Sequence, residues 1–263
     1  MAFAFLCVAT LFTNIIGNGY TGFLQTYVEI DITFDENLID PSGKREFKDL
    51  RKADYTALVK SSLRNEFPGV KGRKEKRELY GLVSSGATYQ LRDMVLADPS
   101  LIGQSQKIWL MASDEVDMLI KDVFKRSEPE STRPVSDKEV AWIEKFETED
   151  RIDKRFNTNF FQAGDSREPE LAGIRSAITG SLFTLFVTLL LSFTVGISSA
   201  IYLEEYAPKN RFTDFIEVNI NNLAAIPSIL FGLLGLAVFI SLFGMPRSSP
   251  LVGGLTLALM TLP

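Results

Sequence analysis

The residues able to do chemistry are few. The 263-residue chain has no histidine and a single cysteine, Cys7. A Ser-His-Asp triad or a Cys-His pair is therefore excluded, as are an internal disulfide and a zinc site of the usual Cys/His kind. The acids Glu147, Glu149 and Asp150 cluster without an identifiable catalytic environment. The stretch SSGAT (84–88) is too weak for a phosphate loop, and the Gly-x4-Gly-Lys-Ser/Thr pattern occurs nowhere. The basic run KGRKEKR (71–77) suits phosphate or headgroups, and equally a solvated helix or loop face. The expectation is a chain without catalytic residues or metal ligands, and not an enzyme. A net charge of −5 argues against a nucleic-acid partner.

What such a chain does must come from the elements that carry its charges, and these are segregated. Residues 1–19 hold no charge. Residues 20–172 hold 24 of the 28 Lys and Arg and 29 of the 33 Asp and Glu, and residues 173–263 hold 4 of each. Two apolar ends thus flank a charged middle of one-domain size. Residues 176–203 form an uncharged run of 28 residues, enough to cross a hydrocarbon layer about 30 Å thick. Further spans are expected at about 223–243, after the polar NINN, and at 251–263, cut short by the chain end. The apolar start 1–19 reads as a first transmembrane helix with its preceding segment trimmed. A signal peptide would want a basic leader, and no Lys or Arg precedes Lys44.

Between the first two C-terminal spans lies YLEEYAPKNR (202–211), read as a short loop. Pro208 breaks the helix, and Glu204, Glu205, Lys209 and Arg211 stay in water or headgroups. Small residues at spacing four mark helix-packing faces: Ser192, Gly196 and Ala200 in one span, and Ala224, Ser228 and Gly232 in the next. Pro227 either starts a helix at its first turn or kinks one, and a broken helix at membrane depth is tolerated where protein or a cavity covers the freed backbone groups. Arg175, at a span start, either snorkels to the interface or takes part in anion handling.

The charged middle reads as a small α+β domain. YVEIDITF alternates Val28, Ile30, Ile32 and Phe34 against polar neighbours, the pattern of a half-buried strand. Residues 44–67 read as one amphipathic helix using Phe47, Leu50, Leu58 and Phe67, ended by Pro68-Gly69. KIWLMAS is a short strand, Ser113 caps a helix over 114–124, and Ser136 with Glu139 forms a capping box. RFNTNFFQAG reads as a last strand before a linker.

The stretch AIYLEEYAPKNRFTDFIEVNINNLAAIPSILFGLLGLAVF (200–239) resembles the PstA family of phosphate-specific ABC transporter permease subunits. The likeness covers roughly residues 171–263. Residues 18–45 are similar to the start of an extra extracytoplasmic domain that some members carry. The resemblance implies a mainly α-helical integral membrane protein, an incomplete type I ABC importer permease bundle, with an inserted α+β domain. It implies a multi-pass bacterial inner-membrane subunit, with residues 20–172 periplasmic and YLEEYAPKNR cytoplasmic, importing inorganic phosphate by ATP-driven alternating access. The implied partners are a PstC-like second permease, a PstB-like ATPase dimer carrying ATP and Mg, a PstS-like periplasmic phosphate-binding protein, and membrane lipid. No cofactor is expected on this chain. The family's cytoplasmic acidic-Ala-Ala…Gly loop has no counterpart here. The chain is therefore expected to be an N-terminal fragment, and no substrate-contacting residue carries over. The rival readings are a permease for another oxyanion, such as sulfate or molybdate, and a membrane-anchored sensor with a periplasmic domain.

Overall fold

The computed structural model describes residues 1–263; the side chain of Ala2 lies outside the description. The chain divides into two compact units, Met1–Gly173 and Ile174–Pro263.

The first unit begins with the apolar helix α1 (Ala2–Gly19), which tightens into a 3-10 turn at Tyr20–Phe23 and passes straight into strand β1 (Leu24–Thr33). β1 is central in a three-stranded antiparallel sheet of order β2-β1-β3, with β2 at Ser105–Met111 and β3 at Ile152–Phe156. Alternation decides its faces: Val28, Ile30 and Ile32 are buried, while Glu29, Asp31 and Thr33 point the other way. The buried face is covered by α4 (Tyr55–Glu66), α6 (Gly86–Ala97), α7 (Asp114–Ile120) and α8 (Asp137–Thr148), which supply Leu58, Leu63, Leu91, Leu119 and Phe146 to one core.

Several local readings need correcting. The single helix expected over 44–67 is two, α3 (Phe47–Lys52) and α4. Asp54 separates them because its carboxylate accepts the Ala57 N–H at 2.9 Å and starts a new helix. Phe47 stays exposed, while Leu50, Leu58 and Phe67 are buried. Of the strand expected over 155–164 only Arg155 and Phe156 belong to β3; Asn157 accepts the Phe160 N–H at 3.0 Å and caps α9 (Thr158–Gln162), which takes the middle of that stretch. Ser113 precedes α7, but its buried hydroxyl has no partner and caps nothing. Ser136 and Glu139 do form the capping box of α8. The basic run opens α5 (Arg73–Tyr80). Lys60, Lys71, Arg73, Lys76 and Arg77 line an open hollow of about 590 Å³ beside Tyr80.

A charged knot ties three elements of this unit. Glu66, ending α4, takes Lys145 of α8 at 2.6 Å and the Arg151 guanidinium at 3.0 Å. Arg151 also donates to the Glu29 carbonyl of β1 at 3.0 Å. The hydrogen bond from Arg151 holds the Glu66 carboxyl below its ordinary value of 4.5; partial burial opposes this, and Lys145 reinforces it. A carboxyl depressed in the folded state stabilises above its unfolded value, and that contribution is lost as pH falls through the folded value. Glu66→Gln is expected to cost about 1.5 kcal/mol at neutral pH. The gap in melting temperature from the parent chain should close as pH falls below 4.5. Melting scans of both chains from pH 7 downward check this; a gap independent of pH counts against it.

In the second unit, α10 (Arg175–Ile201) runs on through a π turn at Tyr202–Tyr206. A short connection leads to α11 (Arg211–Ala224). α12 (Ser228–Gly235) continues as a π segment at Leu236–Leu242, and α13 (Pro250–Thr261) follows. The expected loop at 202–211 is thus half helix, and the true turn is Ala207–Asn210. Pro208 forces Ala207 into extended backbone, and Asn210 caps α11 by accepting from Phe212 and Thr213 at 2.9 and 3.0 Å. By length and composition, Phe3–Phe23 and Arg175–Tyr206 can cross a membrane. The pair Arg211–Ala224 and Ser228–Leu242 qualifies only together, bent by 96°.

Candidate functional site: a small-residue seam and a broken helix

The small residues of α10 form one longer stripe than the three first noted. Gly180, Thr184, Thr188, Ser192, Gly196 and Ala200 recur every four residues, each beside the next, in a stripe that winds slowly around the helix. α13 packs along that stripe. Thr184 Oγ1 donates to the Gly180 carbonyl at 2.9 Å and reaches the Pro250 carbonyl at 3.3 Å. Thr188 Oγ1 bonds the Thr184 carbonyl at 2.8 Å and the Gly254 carbonyl at 3.2 Å. A Cβ on Gly254 would stand 2.6 Å from the Val187 Cβ and 2.9 Å from the Thr184 carbonyl oxygen. The backbones approach this closely because glycine leaves the space. Farther along, a Cβ on Gly196 would meet the Leu262 carbonyl at 3.6 Å. Both numberings rise together, so α10 and α13 run in the same direction.

The second stripe does not survive as a face. The 96° bend falls between Ala224, ending α11, and Ser228, opening α12. Pro227 is the N-cap of α12 and has no N–H to continue the ladder. The broken end is tightened: Ala225 N–H bonds Asn222 O at 3.2 Å, Ile226 N–H bonds Leu223 O at 3.1 Å, and Leu230 N–H bonds Pro227 O at 2.9 Å. Leu223, where a span was expected to begin, is thus in the last turn of α11 together with NINN, and the apolar helix after the bend opens at Ser228. α12 meets α13 through Gly235 against Thr256, while Gly232 has nothing within 4 Å of a built Cβ.

Glu204 lies in the π turn, with Glu205 beside it. Together with Gly196, Ala200 and the α11 residues Glu217 and Asn221, Glu204 lines a hollow of about 320 Å³. Pro208 and Lys209 sit in the turn, Arg211 opens α11, and Arg175 is the exposed first residue of α10. Thr184, Thr188, Gly235, Gly253, Gly254, Glu217 and Asn221 were missed. The spacing-four signal, followed back to Gly180, and the Gly253-Gly254 pair would have found most of them. Among the described residues no group of three metal-ligating side chains stands together. The arrangement offers close helix packing and a polar hollow at the end of apolar helices, with no acid–base pair aimed at a common point.

Residues 1–130 match the family described as Domain of unknown function (DUF3333). Over 92 residues, 35% of the chain, it is 38% identical to the "Probable ABC transporter permease protein YqgI" of Bacillus subtilis. It is 29% identical over 87 residues, 33% of the chain, to the "Probable phosphate transport system permease protein PstC" of Methanocaldococcus jannaschii. It is 42% identical over 66 residues, 25% of the chain, to the "Phosphate transport system permease protein PstC" of Haemophilus influenzae. The chain spans 31%, 27% and 21% of the lengths of these relatives. No solved structure matches. The relatives are thus ABC transporter permeases, phosphate permeases among them, and the apolar helices fit that class of membrane protein. The resemblance seen in the sequence was to the PstA subunit; these named relatives are PstC proteins and YqgI, and the permease class is what they share.

The seam makes a direct prediction. Gly254→Ala should destabilise the helical unit by about 1–3 kcal/mol through overpacking. Gly232→Ala, with open space around it, should be neutral or stabilising by up to about 1 kcal/mol. Denaturation in mixed micelles followed by circular dichroism reads both; equal effects would mean the seam is not as close as described.

Proposed function

We propose that this chain is part of the permease subunit of a binding-protein-dependent ABC importer that carries inorganic phosphate across the bacterial inner membrane. The observation that supports this most is its identity to named ABC and phosphate permeases. The parallel α10–α13 seam and the bent α11–α12 pair supply the physical setting. In this reading the charged domain of residues 20–172 is periplasmic, and the turn with Glu204, Glu205, Pro208, Lys209 and Arg211 is cytoplasmic. A PstC-like permease completes the pathway, a PstB-like ATPase dimer binds ATP and Mg, and a PstS-like protein delivers the anion. The chain makes no bonds. Closure of the ATPases rocks two helical bundles so that the pathway opens first outward, then inward.

Within the chain the residues take different roles. Ser192, Gly196 and Ala200 continue the seam that joins α10 to α13. Gly232, whose side of α12 is open, faces the partner permease, with Ser228 one turn before it. Pro227 fixes the helix break at the pathway, and Arg175 holds the headgroup region at the head of α10.

The assay is ATP-dependent uptake of radiolabelled phosphate by proteoliposomes holding the complete complex, with sulfate and molybdate as competitors. Uptake of phosphate that neither competitor reduces is expected. Preferential uptake of another oxyanion would keep the permease and change the cargo, and no ATP-dependent uptake of any oxyanion would remove the reading. Gly232→Leu should also reduce co-purification with the partner permease about tenfold, equivalent to about 1.4 kcal/mol. Unchanged recovery would place the interface elsewhere.

A further inference from the structure

Four phenylalanines gather where α1 meets the charged domain. Phe161 lies between Phe23 and Phe156 in a stack, 6.1 and 5.6 Å between ring centroids with planes within 12° and 11°. Phe160 stands edge-on to both Phe23 and Phe161, at 5.8 and 5.1 Å. Phe23, Phe156 and Phe161 are 45%, 59% and 44% exposed, and Tyr20, one turn before, is 57% exposed. A rigid, outward-facing aromatic group of this kind is costly in water and marks a contact surface. What it contacts follows from the chain itself. Phe23 is the last residue of the span Phe3–Phe23. That segment of 21 residues is about 31 Å long as a helix, close to the thickness of the hydrocarbon layer. Phe23 is thereby held at the boundary, and the rings stacked on it cannot be far away. Aromatic side chains are favoured at that level, and Lys154 on the same edge strand adds an exposed cation for headgroups.

We propose that the Phe23–Phe156–Phe160–Phe161 cluster is a lipid-interface anchor that seats the extracytoplasmic domain on the bilayer surface. The proposal rests on α1 being a membrane span, and the test separates the two. The full chain, with Cys7 replaced by serine, is reconstituted into nanodiscs of phosphatidylethanolamine and phosphatidylglycerol. It carries a single spin label at F12C, F156C, F161C or S105C. Ser105 pairs with Thr33 at the far end of β1, nine residues from Leu24, about 30 Å along the strand. Collision with oxygen and with a water-soluble nickel chelate gives depth. The expected result is a deep label at position 12, labels at 156 and 161 at headgroup depth, and full nickel access at 105. A deep label at 12 with labels at 156 and 161 as nickel-accessible as 105 overturns the anchor and keeps the span. Labels at 156 and 161 shielded from both reagents would also overturn it, because protein rather than lipid would cover the cluster. A water-exposed label at 12 removes the span reading and the anchor with it.

Discussion

Apolar side chains do not pull helices together inside hydrocarbon, because lipid tails are as apolar as leucine. What joins them is backbone approach, and in this chain that means α10 and α13. The spacing-four stripe of α10 presents glycine and threonine to Gly253 and Gly254, and Thr188 spends its hydroxyl on the Gly254 carbonyl at 3.2 Å. The rest of the helical unit follows from this contact. Two neighbouring helices that run the same way require the chain between them to return, and α12 with its π segment is the element placed to do so. The seam thus sets the direction of α12 before any residue of α12 is considered.

A different constraint governs the charged unit. β1 begins one residue after the apolar segment ends, so the central strand of the sheet is the direct continuation of α1. Its first residues are clamped from inside. Asp117 accepts the Thr26 N–H at 2.9 Å and pairs with Lys121, whose ammonium also donates to the Leu24 carbonyl at 2.7 Å. Burying such a pair is expensive unless further hydrogen bonds satisfy it, and here the strand backbone supplies them. The clamp fixes the register of β1 where it leaves α1, so every cross-strand partner, including Phe156 opposite Leu24, inherits that position.

Much of this was legible in the sequence because the relevant physics is local. The alternation of Val28, Ile30 and Ile32 identified β1, the Ser136-Glu139 spacing identified the start of α8, and charge segregation separated the apolar ends from the middle. The failures share a cause. Asp54 split a helix that periodicity alone would continue, and Asn210 began one inside what looked like a loop; both act through a single side-chain oxygen. The stripe Ala224–Ser228–Gly232 satisfied the spacing rule, but a helical rule holds only while the helix is continuous. Pro227, which starts a helix or kinks one, lies between Ala224 and Ser228 and ends the rule for the residues on either side. Which helix a small-residue face meets is not local at all: the sequence shows the Gly253-Gly254 pair, but that Gly254 meets α10 and Gly235 meets Thr256 comes only from the structure.

The bend at Pro227 shows how the two kinds of contact divide the work under the permease reading. A helix break in a membrane leaves carbonyls and N–H groups unpaired, and the short-range bonds from Ala225, Ile226 and Leu230 pair some of them locally. The bend is therefore tightened by short-range backbone bonds. The α10–α13 seam is fixed as well, by interdigitation and by the threonine hydroxyls. At Gly232 itself α12 has open space, with nothing within 4 Å of a built Cβ. A helical bundle that moves as a body must slide on some surface, and sliding costs least where nothing interdigitates. Under the permease reading, the α10–α13 contact held at Thr184, Thr188 and Gly254 would travel as one piece, and the open space at Gly232 is where a neighbouring helix would move past.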